Sequence, residues 1–112
     1  MHTSRLRNIQ VYRALNGKEP FNEWLKSIQD RKTRARIRAG LERLRLGNFG
    51  NVKFLGEGVL ELRFHFGRGY RIYFGEIRNT IVLLLCAGDK SSQTRDIERA
   101  KSYWLKYKEE NL

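Results

Sequence analysis

Between positions 60 and 66 apolar and polar side chains alternate strictly. Leu60, Leu62, Phe64 and Phe66 fall on one side of an extended chain, and Glu61, Arg63 and His65 on the other. The same period of two runs through positions 70–74, where Tyr70, Ile72 and Phe74 alternate with Arg71 and Tyr73. Gly67-Arg68-Gly69 joins the two runs and predicts a hairpin, with glycine where φ > 0 is needed. In the simplest register Phe66 pairs with Tyr70. That sets His65 opposite Arg71 and Arg63 opposite Tyr73, so two arginines, a histidine and a tyrosine share one sheet face. Like charges placed side by side are costly unless something anionic sits between them. A third run, 80–86, is apolar from Ile81 to Leu85, as in a central strand covered on both sides.

The remaining pattern supplies helices and two shorter strands. Ile9 and Val11 alternate with polar neighbours within a strand-like stretch, 6–15, and Asn16-Gly17-Lys18 marks a turn. Pro20 suits a first helical turn, and Phe21, Trp24, Leu25 and Ile28 follow as one apolar stripe. Asp30 predicts the cap of a second helix, 31–46, with Ile37, Leu41 and Leu44 buried. Gly47-Asn48-Phe49-Gly50-Asn51 ends that helix. A short strand at 52–55 carries Lys53, and Gly56-Glu57-Gly58 is the next turn. Ser91 or Ser92 caps a last helix with Ile97, Ala100, Trp104 and Tyr107 as its stripe. The order is β-α-α-β-β-β-β-α. It predicts one α+β domain over 1–112: a twisted, mainly antiparallel sheet with helices packed on one face and the other face open and basic.

Charge sharpens this picture. Lys and Arg number 23 against 12 Asp and Glu, a formal net charge of +11, which points to a polyanionic partner, nucleic acid first. Six arginines and a lysine crowd positions 31–45 and are answered only by Glu42. That helix reads as a phosphate-tracking surface, with Arg34, Arg38 and Arg45 as RNA-binding candidates and Arg68 beside them at the hairpin tip. The single cysteine, Cys86, excludes an internal disulfide and fits a reducing compartment. No apolar leader and no long apolar run appears, so a cytoplasmic protein with no membrane partner is expected. His2, His65 and Cys86 lack ligand spacing, so neither metal nor cofactor is expected.

A cluster of cations with His and Tyr suits cleavage of RNA. The 2′-OH attacks the adjacent phosphorus, and the protein aligns the chain, stabilises the phosphorane oxygens and moves two protons. Arg63 and Arg71 fit the charge role. His65 could be acid or base, Lys53 or Lys90 could take a proton if crowding lowers the pKa, and Tyr73 could stack on a base or donate a hydrogen bond.

Leu46-Gly47-Asn48-Phe49-Gly50-Asn51-Val52-Lys53, Glu61-Leu62-Arg63, Gly69-Tyr70-Arg71-Ile72-Tyr73-Phe74, and the stretch from Gly88-Asp89-Lys90 to Asp96-Ile97 occur in that order. Together they resemble the RelE/ParE toxin superfamily, closest to its HigB-like "addiction module killer protein" branch. The resemblance implies a fold similar to small microbial ribonucleases. It also implies the toxin of a type II toxin–antitoxin pair, an endoribonuclease that cuts mRNA in the ribosomal A site without a metal. Its expected partners are the ribosome and a cognate antitoxin, a helix-turn-helix protein in this branch. By position Lys53, Arg63, Arg71 and Lys90 match the basic site of the RelE-like members. The general acid and base do not carry over, because Asp89 and Lys90 stand where some members have His or Tyr. A ParE-like gyrase inhibitor and a non-catalytic nucleic-acid-binding module are the competing expectations.

Overall fold

The computed structural model describes residues 6–112. The described chain is α+β, a five-stranded mixed sheet with three helices packed on it. The strands are β1 (Asn8–Val11), β2 (Val52–Gly56), β3 (Val59–Arg63), β4 (Arg71–Ile77) and β5 (Ile81–Gly88), in the order β1-β5-β4-β3-β2. The helices are α1 (Pro20–Ser27), α2 (Arg31–Arg45) and α3 (Gln93–Asn111), the last entered through a 3-10 turn, Lys90–Ser92. β1 runs parallel to β5 and the other pairs are antiparallel. His2, weighed above as a metal ligand, lies outside the described residues.

Local chemistry sets the element ends as expected. Asp30 caps α2 by accepting from Thr33 N at 3.0 Å. Gly67 and Gly69 in the β3–β4 connection take φ of +56° and +72°, a region that β-carbons disfavour.

The helices do not share one face. α1 and α2 pack on one side through Phe21, Ile37 and Leu44 against Leu60, Leu62, Ile72, Phe74, Val82 and Leu84. α3 packs on the other side through Ala100 and Trp104 against Val59, Tyr73, Leu83, Leu85 and Cys86. The expectation of one wholly open sheet face is therefore corrected. The central strand β5 is apolar on both sides and requires a cover on each. A bulge where β4 passes from Tyr73 to Phe74 turns both Leu85 and Cys86 toward α3. Burial there pushes the Cys86 thiol pKa up to about 12. The open surface that remains lies at the end of the sheet where β3 stops and β4 begins.

The hairpin register also differs from the simplest one. Arg63 pairs with Arg71, and Glu61 with Tyr73. Beyond Arg63 one more cross-hairpin hydrogen bond, from Phe64 N to Tyr70 O at 2.9 Å, closes the ladder, and the rings that follow pack on one another. Phe66 contacts Phe64 and Tyr70, with centroids 5.8 and 5.5 Å away, and the Arg36 guanidinium lies 3.8 Å from the Phe66 ring centre.

Candidate nucleic-acid site

β3 and β4 set Arg63 and Arg71 directly opposite each other, on one face of the sheet. The next rung toward α3 holds Lys53, Glu61 and Tyr73 in line across β2, β3 and β4. Glu61 is fully buried. Its Oε1 accepts from Arg63 Nε at 2.7 Å, its Oε2 accepts from Gln93 Nε2 at 3.0 Å, and Arg71 Nε lies 3.6 Å from Oε2. The anion that a paired-arginine face requires is thus supplied in part by the protein itself. Arg71 also donates from Nη1 to the Gly69 carbonyl at 3.0 Å. Its side chain is 12% exposed and that of Arg63 is 35% exposed, so both reach the surface from a buried anchor.

An open depression of about 470 Å³ lies over this pair, lined by Arg63, His65, Gly67, Arg71 and Lys90 among others. A second depression, of about 280 Å³, shares Arg63 and the 64–66 segment and continues toward α2 along Arg36, Arg43 and Asn51. His65 is exposed, just past the end of β3, and lines both. Lys90 is exposed on the first turn after β5, where its backbone N donates to Arg68 O at 3.3 Å. Four of the predicted residues therefore meet at one open site.

Two do not. Tyr73 is fully buried in the core under α3, so its assignment to the site is corrected. Burial and the nearby Glu61 carboxylate raise its pKa strongly, and the phenol stays neutral. Among the described residues its hydroxyl meets no partner in good hydrogen-bond geometry, Glu61 being the nearby anion. Lys53 shares the sheet face but stands exposed on edge strand β2, and neither depression is lined by it.

Residues 23–103 match the family model described as "Phage derived protein Gp49-like (DUF891)". The chain belongs to the Gp49-like family. That family is one of RelE-like toxins from toxin–antitoxin pairs. An uncharacterized protein of Haemophilus influenzae is 43% identical over 81 residues, 72% of this chain and 82% of the relative. The segment shared with the Gp49-like model contains the arginine pair, Glu61, the hairpin connection and Lys90.

In this Gp49-like chain the other sequence candidates spread out. Arg34 donates to the Ile28 carbonyl at 2.7 Å and, with Arg38, lines a separate depression between α1 and α2. Arg45 forms a forked ion pair with Glu42, with contacts of 2.6–3.1 Å, so its charge is already engaged. Arg68 is exposed at the hairpin tip and shares a depression with Asp89, Lys90 and Ser91. The α2 cations nearest the arginine pair are instead Arg36 and Arg43, which crowding alone did not separate from their neighbours. Glu61 was missed as well. Its spacing from Arg63, two residues along one strand, carried the signal.

Proposed function

We propose that this protein is the toxin of a type II toxin–antitoxin pair, HigB-like in its action, and that it cleaves mRNA on the ribosome. The observation that carries the reading is the juxtaposition of Arg63 and Arg71 on one sheet face, beneath an open depression that His65 and Lys90 also line.

The chemistry follows from those groups. The ribose 2′-OH attacks the adjacent phosphorus, the bond to the 5′-oxygen breaks, and a 2′,3′-cyclic phosphate and a 5′-OH end result. Two guanidiniums offer donors to the non-bridging oxygens as negative charge builds on them. One proton leaves the 2′-oxygen and one reaches the 5′-oxygen. The His65 imidazole and the Lys90 amine are the exposed groups beside the pair that can carry them. The second depression gives the strand a path toward Arg36 and Arg43, where phosphate contacts add affinity without sequence preference. A ribosome that presents the codon would complete the alignment, and a cognate antitoxin would block the groove.

Brief induction in growing cells, followed by mapping of transcript 5′ ends, tests this. The wild-type protein should arrest growth and leave 5′-OH ends inside coding regions. Arg71→Ala should fold and cut ~100- to 1,000-fold less, the scale of losing one transition-state donor. Full toxicity of that variant overturns the site assignment. SOS induction with intact mRNA would support a gyrase-directed toxin instead. Tight RNA binding without cleavage on translating ribosomes would support a non-catalytic module.

A further inference from the structure

We infer that Glu61 is a positioning residue, whose buried carboxylate holds the guanidiniums of Arg63 and Arg71 side by side at the floor of the depression. The inference rests on the ribonuclease reading above and adds the group that pre-organises its charge site.

Glu61 lies on β3, between β2 and β4, with its side chain toward α3 and no exposed surface. Its contacts come from three elements: Arg63 on its own strand, Arg71 on β4 and Gln93 at the start of α3. Arg63 meets it by a hydrogen bond from Nε at 2.7 Å; Arg71 meets it as an ion pair, its buried Nε 3.6 Å away and, among the described residues, without a hydrogen-bond partner. Among the described residues, Nη1 and Nη2 of Arg63 and Nη2 of Arg71 then have no hydrogen-bond partner and stay available to a ligand. A guanidinium fixed at Nε loses little further freedom when its remaining donors meet a phosphate, and such pre-payment raises rate rather than affinity. Glu61 itself cannot touch substrate, since its oxygens are buried and engaged. It therefore acts through the arginines.

The test compares wild type with Glu61→Gln in the full-length protein. Single-turnover cleavage of mRNA on translating ribosomes should fall ~10- to 100-fold, the scale of misplacing a catalytic group by about an ångström. Affinity for a 2′-O-methyl RNA, which cannot be cut, should change less than ~3-fold, because the arginine charges persist. The resonance of the Arg63 Nε–H group, the one hydrogen-bonded to Glu61, should be protected from exchange in wild type and lose that protection in the variant. A purely structural ion pair would lower the melting temperature without this split between rate and affinity. Wild-type cleavage by a folded Glu61→Gln, or unchanged Nε–H protection, overturns the inference. Should Glu61→Gln fail to fold, Gln93→Ala removes one of the three contacts from the helix side. Slower cleavage with faster Nε–H exchange is then expected, and no change in either overturns the inference. Absence of cleavage by wild type would count against the ribonuclease reading alone, because the Nε–H measurement still decides what the carboxylate does.

Discussion

The Tyr73 hydroxyl is buried near the Glu61 carboxylate but, among the described residues, meets no partner in good hydrogen-bond geometry, which penalises the folded state. Tyr73→Phe should therefore keep full cleavage and leave stability unchanged or raise it by up to ~1 kcal/mol, the scale of relieving an unmet polar group. Thermal melting and a cleavage assay check the two halves, and lost cleavage in a folded variant would return the phenol to the mechanism. At this scale the sequence told which side of the sheet each residue faces, because a strand's period of two does not depend on register. Arg63, Arg71 and Tyr73 do share a face. The sequence did not tell that α3 would cover the Tyr73 rung while leaving the arginine rung open. Nor did it tell that the anion between the arginines would be Glu61, since that required the register to be shifted.

At the scale of elements, α2 and the β3–β4 connection meet at Gly40. A β-carbon there would lie 2.5 Å from Cε2 of Phe64, whose ring is itself buried. Gly40→Ala should gain up to ~1 kcal/mol of helix propensity. It should lose more, ~1–3 kcal/mol, from overpacking a ring that has nowhere to move. The expected result is a lower melting temperature and reduced cleavage, because Phe64 directly follows Arg63; a more stable and fully active variant would contradict it. All three helices were legible from their apolar stripes and caps, and the four later strands from alternation and turns. The face chosen by α3 was not, because a stripe such as Ile97, Ala100 and Trp104 says that a helix is covered, not by which side of a sheet. The contrary signal was β5, whose wholly apolar stretch cannot coexist with an open face. The hairpin register failed for another reason: in the register observed, Phe64 bonds to Tyr70 across the hairpin while Phe64, Phe66 and Tyr70 cluster their rings and Arg36 stacks on Phe66, contacts that alternation alone does not encode.

Over the whole molecule the +11 charge is less uniform than its total suggests. Glu42 engages Arg45, Glu61 engages Arg63 and Arg71, and Glu76 engages Arg7. What remains continuous is the band from Arg36 and Arg43 through Arg63 and His65 to Arg71 and Lys90. If RNA follows that band, its affinity should report only those cations. For single strands log K falls with log salt at roughly 0.7 per phosphate contact, so five cations predict a slope of about −3 to −4. Removing Arg36 and Arg43 together should flatten that slope by about 1.4, while removing Arg34 and Arg38 should leave it nearly unchanged. The measurement is a salt titration of 2′-O-methyl RNA binding. Cleavage at saturating RNA should meanwhile respond weakly to salt, because the ion pairs that align Arg63 and Arg71 are anchored on a carboxylate shielded from the ionic atmosphere. A slope of about −7 or steeper would mean that the scattered cations of α2 hold the strand as well. The band would then guide the reacting phosphate without accounting for the grip.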